Sequence, residues 1–213
     1  MVSTGTLIAA NTVGSATGLG AVTVNSGATL GGTGIIAPSA GNAVLVDGTL
    51  RIGGAIPTIA QTLTIATNAA ALTINDLLTF DLFAGEGTGA INGISSADRL
   101  LLTGNSGGAT VALGASSIFE ITTAITSGWV VGSSWQLINW AGLTPTGTFT
   151  NIPSTAGIGN FANLPDLSLF GLGWDVSAIY SSGTVSIGAI PEPSRAMLLM
   201  IGLLGLFWRR RRN

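Results

Sequence analysis

Carboxylates are the side chains in this sequence that are best able to act in catalysis, because the chain contains no His, no Cys and no Lys. These absences exclude His-based triads, thiol chemistry and His or Cys zinc sites. Paired carboxylates can cleave glycosidic bonds, and the candidate groups are Asp76 with Asp81 and Asp98 with Arg99. Acids in strands and turns more often cap a turn or keep a surface soluble. We therefore predict no catalytic residue and a chain that is not an enzyme.

The sequence does not favour bound metals or cofactors. It has no D-x-D-x-D-G calcium loop, so no metal is expected. The glycine runs 18–20 and 85–89 lack the following helix or Lys of a phosphate loop, so no nucleotide cofactor is expected. Trp129, Trp135 and Trp140 could stack on sugar rings, but core packing is the favoured role. On one unbulged strand, Trp135 and Trp140 would face opposite sides.

The composition indicates an apolar, β-rich protein. The chain has 213 residues, of which 32 are Gly, and only 8% of its residues are charged. Globular proteins average about 25% charged residues, so a disordered polyelectrolyte is excluded and a nucleic-acid partner is not expected. Abundant Gly, Thr and Val disfavour a helical bundle. This leaves an all-β fold in one large or two small domains.

The few charges are unevenly distributed along the chain. Residues 1–190 hold eight acids and two arginines, which gives this part a formal charge of −6. The last five residues, in contrast, include Arg209, Arg210, Arg211 and Arg212. Such asymmetry is typical of proteins that contact membranes or nucleic acid, and the apolar run 196–208 before the arginines favours a membrane.

The apolar run 196–208 predicts one C-terminal transmembrane helix. Its 13 uncharged residues span about 20 Å as a helix, against ~30 Å for a bilayer core. Trp208 and the snorkelling side chain of Arg195 extend the span, and the positive-inside rule places the terminal arginines in the cytoplasm. A buried C-terminal helix of a soluble protein is the alternative, but it leaves the four consecutive arginines unexplained.

The residues before this run complete a recognisable pattern. Pro191, Glu192, Pro193 and Ser194, followed by an apolar helix and an arginine cluster, resemble the PEP-CTERM sorting signal of exported bacterial proteins. This resemblance covers 191–213 and implies processing at Pro-Glu-Pro by an exosortase, a membrane cysteine transpeptidase. It also implies inner-membrane insertion with a cytoplasmic C-terminus before processing, and later a place at the cell surface or outside the cell. A rigid Pro-rich linker before an ordinary tail anchor is the alternative.

The N-terminal residues do not resemble a secretory signal peptide. Residues 1–10 lack a basic region, and their longest apolar run covers 7–10. A signal peptide needs an apolar run of about 7–15 residues. Because a C-terminal sorting signal belongs on an exported chain, we expect a misplaced start, a fragment of a longer protein, or an export route that the sequence does not reveal.

A tandem repeat predicts the fold of residues 1–75. The segment 22–32 returns as 44–54, offset by 22 at the first valine and by 20 at the leucine, and a weaker third copy starts at Leu63. Each copy has an apolar-x-apolar strand, a turn of Asn or Asp with Gly at positive φ, and Thr-Leu. Tandem units of about 20 residues predict a β-solenoid. The predicted corner residues are Gly31, Gly32, Gly34, Gly53 and Gly54.

The stretch 18–34 resembles the autotransporter-associated β-strand repeat, and the likeness extends over about residues 14–54. This resemblance implies export and a right-handed β-helix, and it brings no catalytic residue.

Residues 76–190 are predicted to form a second β-rich region, as a separately packed layer or as irregular last coils. Short alternating or apolar stretches predict strands at 78–82, 99–103, 117–121, 134–140, 174–176, 179–180 and 183–187. The succession of Phe80-Asp-Leu, Trp135 to Trp140 and Trp174-Asp-Val resembles the segment that commonly precedes the sorting signal in repeat-bearing PEP-CTERM proteins. That resemblance implies no activity.

Together these patterns predict a non-enzymatic, exported bacterial surface or extracellular-matrix protein with an exosortase and membrane lipid as partners. An extracellular polysaccharide is a further candidate partner. One alternative is a β-helix polysaccharide hydrolase or lyase that uses carboxylates. Another is an adhesin or a fragment of an autotransporter passenger.

Overall fold

The structure is a computed structural model that describes residues 1–54, 60–83, 97–104 and 107–190. It confirms the all-β prediction, since these residues form seventeen strands and one turn of 3-10 helix at Ser168–Phe170. In chain order the strands are β1 (Thr6–Ala9), β2 (Val22–Val24), β3 (Thr29–Gly32), β4 (Ile35–Ile36), β5 (Val44–Val46), β6 (Thr49–Ile52), β7 (Thr62–Ala66), β8 (Ala71–Ile74), β9 (Leu77–Leu82), β10 (Arg99–Thr103), β11 (Thr110–Leu113), β12 (Ile118–Thr123), β13 (Ser134–Gln136), β14 (Ile138–Asn139), β15 (Ile158–Gly159), β16 (Leu172–Asp175) and β17 (Thr184–Ala189).

Three parallel sheets form the body of the protein. Sheet A contains β2, β5, β8 and β11, sheet B contains β1, β3, β6, β9 and β12, and sheet C contains β4, β7, β10 and β14. The chain visits the sheets in the order A, B, C and then returns to A, so each circuit, called a coil below, stacks on the previous one. This arrangement is compatible with a β-helix-like body.

Equivalent residues of successive coils stack in register and fill the core. In sheet B, Leu30 pairs with Leu50 and Leu50 pairs with Leu78, and all three side chains are fully buried. The equivalent row in sheet A consists of Val24, Val46 and Ile74. Each buried side chain of this size contributes about 1.5–3 kcal/mol, so the stacked apolar rows hold the coils together. Residues between them, such as Arg51, face outward.

The corner between sheets A and B is short, and polar residues stack there as well. It spans residues 25–28, 47–48, 75–76 and 114–117 in successive coils. Asn75 Nδ2 donates a hydrogen bond to Asp47 Oδ1 at 2.7 Å, which links two coils. Gly27 has the predicted positive φ, but Gly48 does not. A Cβ at Gly48 would overlap carbonyl oxygens of the previous coil, so glycine is needed there for space.

The corner between sheets B and C has no fixed length. It spans residues 33–34, 53–61, 83–98 and 124–137 in successive coils. This variation explains an error in the predicted repeat, because the Leu-Thr-Ile starting at Leu63 lies in β7 of sheet C and stacks on β4. The third copy in sheet A is the identical tripeptide starting at Leu72, which pairs with Val44 at an offset of 28.

Four of the five glycines predicted at corners lie at the B–C corner or at its border. Gly32 ends β3 and forms an antiparallel bridge with Gly53, and the other two are Gly34 and Gly54. The prediction is wrong for Gly31, which lies within β3 opposite Arg51. A Cβ at Gly31 would lie 2.7 Å from the Arg51 carbonyl oxygen, so close packing of two strands is the reason for this glycine.

Residues 124–190 close the last coil with irregular segments and an antiparallel sheet. Sheet D has the strand order β13, β17, β16, β15, and all of its pairs are antiparallel. Thr146 bridges to Ala112 of sheet A, and the N–H of Phe119 in β12 donates to Asn151 Oδ1 at 3.0 Å. These bonds occupy edges that a parallel stack would otherwise leave unpaired.

Most strands predicted in residues 76–190 are confirmed, with two exceptions. The stretch 134–140 divides into β13 and β14 around Leu137, and this break lets both Trp135 and Trp140 be buried. Residues 179–180 lie in a turn instead of a strand. The Ile179 carbonyl accepts a hydrogen bond from Trp140 Nε1 at 2.8 Å, so a loop contact replaces the expected sheet ladder.

In the part of the chain that the structure describes, no helix has the length and apolarity needed to cross a membrane. The helix predicted at 196–208 lies outside the described residues. So do the motif Pro191, Glu192, Pro193 and Ser194 and the four terminal arginines.

Candidate functional site

The outer face of sheet B carries a cluster of polar side chains from three successive coils. Arg51 of β6, Asp81 of β9 and Thr122 of β12 all face outward because they alternate with buried apolar residues. Arg51 Nη2 lies 3.0 Å from Asp81 Oδ2, and the Thr122 hydroxyl donates to Asp81 Oδ1. Asp81 is only 6% exposed, so this outward carboxylate is largely removed from water.

A second carboxylate, that of Asp98, lies at the adjoining B–C corner and is 1% exposed. Its Oδ1 accepts the Gln61 N–H at 2.9 Å, and its Oδ2 accepts the Asp81 N–H at 3.3 Å. Burial raises the pKa of Asp98 to about 7, although the two backbone N–H groups oppose the shift, and the nearby Asp81 carboxylate adds to it. Asp98 therefore titrates near neutral pH.

A surface cavity of about 590 Å³ lies beside the first carboxylate. Arg51, Asp81 and Thr122 supply its polar wall, and Phe83 and Ile125 supply apolar surface. Asp98 is not among its described lining residues. The cavity could hold a small polar molecule with one apolar face, but the group with the raised pKa does not reach it.

The structure does not bring together the side chains of the two residue pairs that the sequence suggested. Asp76 lies immediately before β9 and Asp81 lies near its C-terminal end, about 16 Å away at ~3.3 Å per residue. Asp98 and Arg99 diverge, since the Asp98 carboxylate binds backbone N–H groups and Arg99 Nη2 donates to Gln136 Oε1 at 2.6 Å. Among the described residues, no group of three or more acids is placed to hold a metal ion.

Sequence reasoning missed the association of Arg51, Asp81 and Asp98. Arg51 and Asp81 are 30 positions apart in the sequence, and Asp81 and Asp98 are 17 positions apart. Only the stacking of coils brings them together. One signal was available, because Arg51 and Asp81 are two of only ten charged residues in the first 190. A charge that is removed from water on a nearly uncharged solenoid is stabilised by an opposite charge in a neighbouring coil.

The aromatic residues that could stack on sugars mostly pack inside the protein. Trp135 is 1% exposed and Trp140 is 2% exposed, which confirms core packing for both. The rings of Trp129 and Trp135 lie 6.5 Å apart edge to face, and each lies 5.9 Å from Trp174. This cluster packs sheet D together. The partly buried Trp129 belongs to the same cluster.

The C-terminal end of the body is held by sheet D up to the last described residue. Ala189 of β17 pairs with Leu172, and the Ile190 N–H donates to the Gly171 carbonyl at 3.1 Å. Pro191 follows immediately in the sequence. The predicted processing motif therefore begins immediately after the last described residue of the body.

Comparison with known families identifies this C-terminal segment. The family model for the PEP-CTERM protein-sorting motif matches residues 189–212, which confirms the sorting-signal prediction. The motif supports an exported protein that is targeted to an exosortase, and it implies secretion through the membrane to the cell envelope or surface. No curated protein and no solved structure matches the chain.

Proposed function

We propose that this chain is a non-enzymatic surface or extracellular-matrix protein of a bacterium, with a right-handed β-helix-like body. The observation that carries the proposal is the sorting motif at 189–212, which continues directly from the last strand of the body. In this proposal residues 18–34 are a repeat of the autotransporter-associated type. The stacked coils then serve as a rigid, weakly charged element at the envelope.

A non-enzymatic role is supported by the way the two buried carboxylates are used. Asp81 accepts hydrogen bonds from Arg51 and Thr122, and Asp98 accepts two backbone N–H groups. All four carboxylate oxygens thus have partners within the chain. These bonds join neighbouring coils and fix the B–C corner, so a structural role accounts for the buried charges.

The proposed processing site is Pro191, Glu192, Pro193 and Ser194. Two prolines keep Glu192 extended and out of a helix, which suits entry into a peptidase. The segment 196–208 then spans the membrane, and its short length suits a segment that is handed over and removed. The terminal arginines keep the C-terminus in the cytoplasm.

The experiment is mass spectrometry of the mature protein from a host that contains an exosortase. We expect a C-terminus within or beside residues 191–193, and we expect Glu192→Ala to retain the tail. Glu120→Ala makes the same chemical change on the folded body and should be processed normally. A mature protein that keeps residues 209–213 in such a host would contradict the proposal and leave the segment as an anchor only.

A β-helix polysaccharide hydrolase or lyase is the second candidate function. It is favoured by one observation, the Arg51–Asp81 pair on the wall of a surface cavity. A carboxylate that faces a cavity can act in glycosidic cleavage when a second acid group lies across the bound substrate. Release of reducing ends from acidic and neutral polysaccharides tests this function, and Asp81→Asn should abolish any activity found. An adhesin or passenger fragment would instead bind polysaccharide without cleaving it.

A further inference from the structure

The large apolar side chains that are exposed on the described part of the protein occur in two groups. One group lies within residues 1–19, at the first coil. The other belongs to the closing region and consists of Val130, Val131, Ile158, Leu169 and Phe170. Between residues 20 and 129, the described residues add no member to either group. The second group lies close to Ile190, the last described residue of the body.

Sheet topology brings four of these side chains to one end of sheet D, where β17 ends and β13 and β16 begin. Because β17 runs antiparallel to both β13 and β16, its C-terminal end lies beside the residues that precede those strands. Two hydrogen bonds fix this arrangement, from the Gly132 N–H to the Ile187 carbonyl at 2.8 Å and from the Ile190 N–H to the Gly171 carbonyl at 3.1 Å. The residues before β13 and β16 form the apolar edge, defined as Val130, Val131, Leu169 and Phe170.

The apolar edge is well exposed and uncharged. Leu169 is 92% exposed at a single 3-10 turn, Val131 is 55% exposed, and Phe170 and Val130 are about half exposed. Residues 121–165 contain no charged side chain, in a body that carries a formal charge of −6. The nearby Asp166 directs its carboxylate to the Ser168 N–H at 2.9 Å. An anionic lipid surface would repel the acidic body, whereas Val130, Val131, Leu169 and Phe170 carry no charge of their own.

The chain beyond Ile190 limits what the apolar edge can face. Five residues separate Ile190 from Ala196, where the uncharged run 196–208 begins. Even fully extended, these residues span only about 20 Å. If the run enters a membrane, Ile190, whose N–H binds the Gly171 carbonyl beside the apolar edge, is tethered at that distance or less from the lipid surface. Arg195 lies between them in the sequence and suits anionic headgroups.

We propose that the apolar edge docks into the lipid interface of the membrane that holds the C-terminal segment. This inference rests on the proposed function, since it requires the run 196–208 to be inserted. Docking would hold the body at one orientation to the membrane and keep residues 191–194 at headgroup level. Because Pro191 directly follows Ile190 in the sequence, docking keeps the cleavage site at the membrane surface, where a membrane-embedded peptidase can reach it.

The test measures the depth of single labelled positions in the full chain. The protein has no native Cys, so Leu169→Cys and Val131→Cys each provide one attachment site for a fluorophore. Val13→Cys is the matched control, because Val13 is 82% exposed at the first coil. Each protein is reconstituted in vesicles of phosphatidylcholine and phosphatidylglycerol that contain a lipid spin label just below the headgroups.

We expect the labels at 169 and 131 to be quenched at least about threefold more strongly than the label at 13. Flotation of the same vesicles reports separately on membrane insertion of the C-terminal segment. Chains that float with equal quenching at all three positions would overturn docking while leaving the proposed function intact. Chains that fail to float would contradict membrane insertion itself, and docking with it.

Discussion

Gly53 and Asp98 meet so closely at the B–C corner that a Cβ on Gly53 would lie 2.5 Å from Asp98 Oδ2. Gly53 also has a φ of +85°, a region that L side chains rarely adopt. The glycine thus makes room for a buried carboxylate that binds the backbone of two neighbouring coils. Glycine is therefore needed at position 53 for two reasons, the positive φ and the space that the Asp98 carboxylate occupies.

Gly53→Ala should destabilise the protein by about 2–4 kcal/mol, because it combines left-handed strain with displacement of the Asp98 carboxylate. Chemical denaturation followed by tryptophan fluorescence measures this loss. Gly5→Ala is the matched control, since Gly5 has a φ of +76° but nothing within 4 Å of its Cβ position. Its cost should be only roughly 1 kcal/mol, and equal losses for the two variants would argue against the Asp98 contact.

The stability of the protein should fall as the pH rises from about 4 to about 7. Burial raises the pKa of Asp98 from 3.8 to about 7, so between these values the folded protein keeps a proton that the unfolded chain has released. The free energy of unfolding then decreases by about 1.4 kcal/mol per pH unit over this interval, and by up to about 4 kcal/mol in total. Denaturation midpoints at about pH 5 and about pH 8 measure most of this decrease.

Asp98→Asn should flatten this pH dependence, because the titrating group is gone. Asp166→Asn is the control, since a hydrogen bond from the Ser168 N–H lowers the pKa of Asp166 and moves its titration out of this range. A wild-type protein that is equally stable at both pH values, or an Asp98→Asn variant with the wild-type slope, would rule out this role for Asp98.

Arg51→Met should be more destabilising than Asp81→Asn. The arginine side chain is 38% exposed and can return to water, whereas the aspartate side chain is 9% exposed and would lose its cationic partner. A double-mutant cycle should give a coupling energy of about 1 kcal/mol, reduced by the partial exposure of the pair. Arg99→Met, which removes a hydrogen bond to an exposed Gln136, should change stability by less than about 0.5 kcal/mol. A coupling energy near zero would show that the two charges do not stabilise each other.

Gly48→Ala should destabilise the A–B corner by about 2–4 kcal/mol, because its Cβ would overlap two carbonyl oxygens of the previous coil. Gly20→Ala provides the comparison, since Gly20 has no positive φ and no atom within 4 Å of its Cβ position. That change should be neutral, or stabilising by up to about 1 kcal/mol. Thermal unfolding of both variants measures the contrast, and a tolerated Gly48→Ala would mean that the coils are spaced more widely there.

The features that could be predicted from the sequence depend on neighbouring residues or on a short repeat. Val22 and Val44 pair as the repeat indicates, because the A–B corner that follows them is short in every coil. The sorting motif is a continuous stretch, so its resemblance to a known signal can be recognised from the sequence. Burial of Trp135 and Trp140 was also predicted, because core packing is the favoured role of large aromatic side chains.

The rest depends on how many residues each B–C corner contains, and no local pattern determines this number. Two identical Leu-Thr-Ile tripeptides, at 63–65 and 72–74, lie in different sheets because the corner between β6 and β7 has nine residues. The cluster of Arg51, Asp81 and Asp98 has the same origin. Its members become neighbours only when the stacking register of three strands is fixed.

The variable B–C corner separates the length of the chain from the length of the body. Neighbouring strands are about 4.8 Å apart whatever the corner contains, so the five strands of sheet B span about 19 Å. Residues added at this corner would enlarge a side loop without changing the distance between the two ends. Only an inserted A-B-C circuit would lengthen the body, by one strand spacing. The length of the body is therefore set by the number of coils. Its B–C corner is the site at which a foreign peptide can be inserted for display without changing that length.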